Sequence, residues 1–231
     1  MRLYPKRFSV GSIPQIKGVG VFDPTSIAGC SLWLSADKMG LSDGASVTSF
    51  TDYSGNARHL AGGGSATYKV NIINGKPVVR FTTASGLYTN YNFGKPFTVL
   101  YVAKQNDTGT GRILQGYANN WLLGWWNNIL DNAYFTGWIS TQQTSPAKDT
   151  NPRLYVATMD SGIVAYMYSK LTQLWTTSIT GGSGPNGLTI NASSSGEATN
   201  CDVAEVIVYN SVLSSADRTT VTNYLASKYN L

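Results

Sequence analysis

Short apolar stretches alternate with turn-forming residues along most of this 231-residue sequence. The turn signals recur about every 8–12 residues, which is typical of an all-β sandwich. The clearest strand is 97–103, an almost continuous run of apolar and β-branched residues. A second clear strand, 76–82, follows Asn74-Gly75, a dipeptide typical of hairpin turns. No repeat of roughly 20–50 residues is visible, which excludes propellers and solenoids.

The hydrophobic period changes after the strand at 203–209. The C-terminal segment has the spacing of a helix N-cap box and then of one apolar helix face, carried by Ser214, Asp217, Val221, Tyr224 and Leu225. The sequence therefore predicts roughly a dozen strands and a single helix over 214–229.

The composition agrees with an all-β fold. Charged residues make up 13% of the chain, about half of the usual ~25%. Much of the polarity comes from Gly, Ser, Thr and Asn, which favour turns and sheet surfaces. The length lies within the roughly 200–250 residues of single-domain sandwiches.

Basic charge is concentrated in the first 22 residues. This segment contains four basic residues and no acid, and the rest of the chain has 13 basic and 12 acidic residues. A basic face for nucleic acid is therefore not expected. We interpret 1–22 as an extended arm that docks on a neighbouring subunit through Arg2, Lys6, Arg7, Phe8, Ile13 and Lys17. A solvated or locally packed lead-in is the alternative.

No secretory signal peptide is expected, because residues 1–20 lack an apolar run of ~7–15 residues. No stretch approaches the ~18 apolar residues of a membrane span. The two cysteines, Cys30 and Cys201, are interpreted as free thiols, with a disulfide between them as the alternative.

Four sequence blocks resemble one known family. They are 29–37 (GCSLWLSAD), 51–56 (TDYSGN), 74–81 (NGKPVVRF) and 204–229, which opens with AEVIVYN. They resemble the opening strand, loop, middle strand and closing strand with helix of concanavalin A-like, laminin-G-like jelly rolls of bacterial and phage proteins. Cys30 departs from the family's usual leucine. The resemblance covers about 23–231 and leaves the arm outside it.

The resemblance implies an all-β, two-sheet antiparallel jelly-roll sandwich with one C-terminal α-helix. Such domains are often used for carbohydrate contact or as modules on viral and extracellular particles. The resemblance does not identify a ligand.

Catalytic residues are scarce. Glycosidases on this type of fold need two carboxylates flanking one bond, but the only glutamates are Glu197 and Glu205, and no acid stands at 203 or 207. His59 is the only histidine, and no Gly-x-Ser-x-Gly motif accompanies it. We therefore expect no enzyme, no zinc site and no cofactor; a sandwich hydrolase using Glu205 is the lowest-ranked alternative.

Calcium is a weaker hypothesis for the loop at 51–56. Asp52 and Asn56 offer oxygen ligands of the kind that Ca²⁺ takes. The same residues also fit an Asx-type turn that satisfies its own backbone, which we favour.

An aromatic-rich segment is the candidate ligand site. We predict that a glycan contacts Trp121, Trp125, Asn127, Tyr134 and Trp138. Strand alternation places Trp121 and Trp125 on one face and Trp126 on the other, so at least one set must be core. The alternative is that these aromatics serve mainly in the core or in a protein interface.

Two function hypotheses remain. The first is a non-enzymatic virion component, such as a phage head decoration or tail protein, made in the host cytoplasm. Its partners would be other virion proteins held through the arm, further copies of the chain (a trimer, for example) and host-surface glycans. The second is a carbohydrate-binding module of a bacterial surface or secreted protein.

Overall fold

The structure is a computed structural model that describes residues 22–107, 111–140, 147, 149–191 and 197–231. The arm, except for Phe22, lies outside the described residues. Its proposed docking residues, Arg2 to Lys17, therefore remain a prediction.

The described chain is mostly β, with one C-terminal helix. Two short 3₁₀ turns lie at Pro24–Ser26 and Ala36–Lys38. The strands are β1 (Cys30–Ser35), β2 (Ser46–Phe50), β3 (Leu60–Ile73), β4 (Lys76–Phe81), β5 (Leu87–Thr89), β6 (Phe97–Gln105), β7 (Leu114–Gly116), β8 (Trp121–Trp126), β9 (Ile129–Phe135), β10 (Arg153–Met159), β11 (Val164–Ser169), β12 (Thr172–Ser178), β13 (Leu188–Ile190) and β14 (Cys201–Tyr209). The helix is α1 (Ser215–Tyr229).

Helix α1 begins where the N-cap box predicted. The Ser214 hydroxyl accepts a hydrogen bond from the backbone N–H of Asp217 at 3.1 Å. Asn230 ends the helix in the left-handed conformation. Both ends follow the usual chemistry of helix caps, so the predicted helix is confirmed to within a residue.

All named strand pairs in the described residues are antiparallel, but they do not form two separate sheets. They follow one hydrogen-bonded path, β12-β11-β10-β6-β14-β4-β3-β5-β13-β7-β8-β9, with β1 added to β14 and β2 added to β3. The two ends of the path approach each other, because Trp175 Nε1 on β12 donates to the carbonyl oxygen of Asp131 on β9 at 2.7 Å. The sheet is thus nearly barrel-like, which corrects the expectation of two distinct sheets.

Strand β3 is the physical reason for this continuity. Its 14 residues pair with β4 near one end and with β5 near the other. Between these regions Gly62, Gly63 and Gly64 all have positive φ, a conformation that glycine adopts without steric cost. A Cβ on Gly63 would clash with the carbonyl oxygen of Gly86. The three glycines therefore let one strand bend through the corner.

Strand β14 lies in the middle of the fold and has apolar residues on both faces. Val206 and Val208 point into the interior between the two halves of the sheet. Ile207 and Tyr209 belong to a second apolar layer, shared with α1. A strand covered on both faces reads as a continuous apolar run, as 203–209 does in the sequence.

Glu205 fastens α1 to this strand. It is fully buried, and its carboxylate accepts hydrogen bonds at 2.7–2.9 Å from Trp33 Nε1, Tyr224 Oη, Tyr229 Oη and Lys228 Nζ. Burial beside this carboxylate raises the pKa of the Tyr224 and Tyr229 hydroxyls. Four donors thus satisfy a charge that would otherwise be costly to bury.

Within the described residues, no helix has the length and apolar character that a membrane crossing requires.

Candidate functional site

Two of the predicted ligand-binding tryptophans are core residues. Trp121 and Trp125 are 0% and 1% exposed. Trp121 stacks on Phe135 with ring centroids 5.0 Å apart, and Trp125 meets Tyr155 edge-on at 5.1 Å. Both lie on the inner face of β8, opposite β6 and β10. Because their rings are covered by protein, the prediction that they contact a ligand is wrong.

The outer side of β8 and β9 carries a different group of rings, Trp126, Tyr134 and Trp138, which we call the aromatic cluster. Trp138 is central: its ring centroid lies 4.9 Å from that of Trp126 and 5.0 Å from that of Tyr134. Trp138 also pairs with Tyr134 through an isolated β-bridge. All three side chains are half-buried, so part of each remains accessible. The structure therefore brings the predicted Tyr134 and Trp138 together and adds Trp126.

A hydrogen-bonded chain of polar side chains runs beside the aromatic cluster. Arg112 Nη1 donates to Asn120 Oδ1 at 2.7 Å. Arg112 Nε lies 2.8 Å from Glu197 Oε2, and Glu197 Oε1 accepts from Trp126 Nε1 at 3.1 Å. This series of side-chain contacts thus connects the start of β8 with its end. It also holds the indole of Trp126 in one orientation. We call these six residues (Arg112, Asn120, Trp126, Tyr134, Trp138 and Glu197) the outer-face site.

Glu197 reaches this site because its backbone lies against Gly111. The backbone N–H of Arg112 donates to the carbonyl oxygen of Glu197 at 2.7 Å. A Cβ on Gly111 would clash with that same oxygen. The sequence analysis missed Glu197 as a site residue, because the contact joins segments 85 positions apart in the sequence and no local pattern marks it.

Asn127 lies in the turn between β8 and β9. Asn127 and Asn128 have φ of 51° and 67°, as expected for the two central residues of a type I′ hairpin turn. The Asn127 side chain is exposed and follows Trp126 directly. Its conformation explains why asparagine suits the position, and its contact with a ligand stays a prediction.

The calcium candidates are engaged in a turn. Asp52 Oδ1 accepts from the backbone N–H groups of Trp33 and Ser54 at 3.0 and 2.9 Å, and Oδ2 accepts from that of Arg58 at 2.9 Å. Asn56 Nδ2 donates to the carbonyl oxygen of Cys30 at 3.0 Å. These contacts fit the Asx-turn alternative rather than a calcium site. Among the residues that the structure covers, no group of three or more His, Cys, Asp or Glu side chains is placed to hold a metal ion.

Cys30 and Cys201 are free thiols. Cys30 pairs with Tyr209, at the far end of β14 from Cys201. Eight residues of strand separate the two positions by roughly 26 Å, so the disulfide alternative is wrong. Desolvation, followed by the nearby Asp52 and Asp23 charges, raises the pKa of the Cys30 thiol to about 12.

The outer-face site combines chemistry that suits a sugar. Half-buried aromatic rings offer apolar faces for the C–H side of a pyranose or furanose ring. Glu197, whose side chain is 35% exposed, can accept hydrogen bonds from hydroxyl groups. Its charge is balanced by Arg112, so the pair adds no net charge to the site.

No protein-family model matches the sequence, and no curated protein matches it. Solved structures do match the fold. One is domain 4 of an extracellular arabinanase of family GH43 from Geobacillus stearothermophilus, in complex with arabinotriose; it has a TM-score of 0.60 and 14% identity, covering 84% of this chain and 98% of that domain.

Two toxin domains are also similar. The binding domain of Paraclostridial Mosquitocidal Protein 1 has a TM-score of 0.61 and 12% identity, and the match covers 88% of this chain and 53% of that one. The binding domain of botulinum neurotoxin DC, solved with SialylT, has a TM-score of 0.57 and 13% identity, with 88% and 52% covered. This chain thus spans about half the length of those two chains. At 12–14% identity the three likenesses concern the fold alone, and no phage protein is among them.

Proposed function

We propose that this chain is a carbohydrate-binding domain and that the outer-face site holds the sugar. The observation that carries the proposal is the aromatic cluster, with Trp126 fixed by its hydrogen bond to Glu197. Two of the similar structures support it, because they were solved with arabinotriose and with SialylT. In this proposal the chain is a carbohydrate-binding module of a bacterial surface or secreted protein.

The arrangement favours binding because it is organised before the ligand arrives. Aromatic side chains lose little conformational freedom when they contact a ligand, and a ring already held by a hydrogen bond loses less. We expect a sugar ring to stack on Trp138 or Trp126, with its hydroxyl groups near Glu197 and Asn120. The proposal includes no catalytic activity.

A glycan array followed by titration calorimetry tests the proposal. The full chain should bind at least one glycan, and Trp138→Ala should weaken that binding about tenfold or more, since each ~1.4 kcal/mol of lost contact changes the affinity tenfold. The matched control is Tyr166→Ala. Tyr166 is also half-buried and aromatic, but it lies on β11, among the apolar residues that pack against the layer shared with α1.

Binding that is lost equally in the Trp138 and Tyr166 variants would mean that stability, not contact, is being measured. Binding that is unchanged in both the Trp138→Ala and the Trp126→Ala variants would show that the ligand binds outside the outer-face site. An array that stays blank with folded protein would contradict the proposal directly.

As a second candidate we propose attachment to a virion through the arm of residues 1–22, with the domain displayed on the particle. The supporting observation is in the sequence: this arm has four basic residues and no acid, which suits docking on an acidic neighbour. Host-glycan contact by the displayed domain would make the two proposals compatible. Homo-oligomers, including trimers, belong to the same proposal.

Deleting residues 1–21 tests this second candidate and keeps Phe22, whose ring centroid lies 5.3 Å from that of Tyr224 on α1. The shortened chain should keep its unfolding midpoint and its glycan affinity but no longer enter purified particles, as measured by mass spectrometry of the particles. Replacing the four basic residues by Gln in the full chain separates charge from length. Undiminished incorporation of the shortened chain would refute the arm's role.

A further inference from the structure

Asn191 is a buried polar residue close in the sequence to Glu197 of the outer-face site. It follows directly after β13 and is 0% exposed. Its Nδ2 donates to the carbonyl oxygens of Thr82 and Ser85, between β4 and β5, at 2.7 and 2.8 Å. Its Oδ1 accepts from the backbone N–H of Thr199 at 2.7 Å. One side chain therefore ties the backbone on both sides of Glu197 to a third part of the chain.

The backbone of Asn191 is fixed as well. Its φ is 54°, a left-handed conformation that Asn and Asp adopt more readily than most other residues with a side chain. Its N–H donates to the carbonyl oxygen of Ile113 at 2.8 Å. Its own carbonyl oxygen lies so close to Gly86 that a Cβ there would clash with it. Asn191 is thus held in place by its backbone and its side chain together.

The same neighbouring segment holds Glu197. The N–H of Arg112 donates to the carbonyl oxygen of Glu197, and Ile113, the next residue, accepts from Asn191. The Glu197 carboxylate then lies between the Arg112 guanidinium and the indole N–H of Trp126. Because backbone and side chain move together, a displacement of this backbone would pull the carboxylate away from the indole.

A second buried side chain supports the tie. Thr199 is 0% exposed, and its hydroxyl accepts from Gln105 Nε2 at 3.1 Å. Buried polar side chains that satisfy one another make a rigid, well-defined arrangement. In Asn191 both amide hydrogens and the amide oxygen are used, so its side chain adds no unsatisfied group to the interior.

We infer that Asn191 is a positioning residue of the outer-face site, which sets the orientation of Trp126 through the backbone and carboxylate of Glu197. The inference rests on the proposed function and adds a residue that acts without touching the ligand, since a fully buried side chain cannot contact a sugar. Its contribution is to hold the site in its binding arrangement before the ligand arrives, which favours affinity.

Asn191→Asp is the sharpest variant. Aspartate has the same shape, tolerates the positive φ and can still accept the hydrogen bond from Thr199. As a carboxylate it cannot donate to the carbonyl oxygens of Thr82 and Ser85, and it faces them with a negative charge. The variant therefore removes the two donated hydrogen bonds and leaves the size of the side chain almost unchanged.

The first readout is the indole N–H signal of Trp126 in a proton–nitrogen correlation NMR spectrum of the full chain, identified by its loss in Trp126→Phe. Glu197→Ala gives the position of this signal without the hydrogen bond to the carboxylate. In Asn191→Asp the signal should move toward that position. The affinity for the glycan that the intact chain binds should fall about tenfold, as measured by titration calorimetry.

Thr98→Val is the matched control. Thr98 is also 0% exposed, and it also fixes a loop from a buried position, here between β14 and α1. Its hydroxyl donates to the carbonyl oxygen of Ser211 at 2.8 Å and accepts from the N–H of Leu213 at 2.9 Å. The variant should lower the unfolding midpoint and leave the Trp126 signal and the glycan affinity unchanged. Asn191→Gly, which adopts a positive φ without steric cost and buries no charge, repeats the test if the aspartate variant does not fold.

A Trp126 signal that keeps its position in a folded Asn191 variant would overturn the inference. An equal shift in Thr98→Val would overturn it too, because a general loss of stability would then explain the change. A shifted signal with unchanged affinity would show that the binding site does not depend on Asn191, and it would leave the proposed function standing. A shifted signal together with a blank glycan array for the intact chain would remove the proposed function and leave the positioning of Glu197 by Asn191 supported.

Discussion

At the scale of single residues, the inner or outer position of each ring decides its role. Trp125 and Trp126 are adjacent in the sequence, yet one is core and the other belongs to the outer-face site. Alternation along β8 predicted this division, but it could not say which side faces the interior. That choice is made by Phe97, Tyr101 and Tyr155 on distant strands, whose rings pack against Trp121 and Trp125.

Substituting the two kinds of tryptophan should therefore destabilise the protein to different extents. Trp125→Ala removes a fully buried ring and should cost about 3–5 kcal/mol of unfolding free energy. Trp138→Ala removes a half-buried ring and should cost clearly less, about 1–2 kcal/mol. Urea unfolding followed by circular dichroism measures both. Equal losses would show that Trp138 serves the core as much as Trp125 does.

At the scale of elements, the strong strands and the helix could be predicted from the sequence. Strand boundaries could not be predicted where glycine or asparagine changes the direction of the chain. The three glycines of β3, a residue type that favours turns, lie inside this 14-residue strand. Strand β9 begins at Ile129, directly after the Asn127-Asn128 turn, and ends at Phe135, although the aromatic-rich segment continues to Trp138. Local residue preferences cannot distinguish a turn that ends a strand from a bend within one.

The corner of β3 can be tested with two glycine variants. Gly63→Ala places a Cβ against the Gly86 carbonyl oxygen and also strains a positive φ, so it should cost more than about 2 kcal/mol. Gly75→Ala is the matched control, because its φ is +71° but nothing lies within 4 Å of the added Cβ. It should cost about 1–2 kcal/mol, the price of the conformation alone. Equal unfolding midpoints for the two variants would contradict the corner as described.

At the scale of the whole molecule, the sequence predicted the mostly β fold with one C-terminal helix. It did not predict the near closure of the sheet. That closure depends on contacts such as Trp175 with Asp131, which lie 44 positions apart and have no local signature. For the same reason only part of the outer-face site could be predicted. Tyr134 and Trp138 come from one segment of the sequence, whereas Arg112 and Glu197 reach the site only through the fold.

The interior makes the molecule sensitive to alkali. Burial raises the pKa of Cys30 to about 12 and those of Cys201, Tyr101 and Tyr155 well above their ordinary values of 9.0 for Cys and 10.0 for Tyr. These groups stay protonated in the folded state, whereas the unfolded chain releases their protons first. Stability is therefore complete below about pH 9 and falls as the pH rises further.

Urea unfolding midpoints measured from about pH 8 to about pH 11 should decrease steadily beyond about pH 9. A double variant, Cys30→Ala with Cys201→Ala, should delay the decrease toward the tyrosine range. The share of the tyrosinate absorbance that comes from the buried Tyr101 and Tyr155 should appear only together with unfolding. A midpoint that stays constant or rises over this interval would show that the buried hydroxyl and thiol groups ionise in place.

The central position of β14 has a consequence for how the protein is made. This strand begins at Cys201, yet it joins β1, β4 and β6, which leave the ribosome more than about 90 residues earlier, about 5–20 s at usual synthesis rates. During that time those three strands have open edges, and unpaired edges attract other chains. The fold can thus be completed only after β14 has emerged. Nascent chains that end before residue 201 should therefore depend on chaperones to stay soluble.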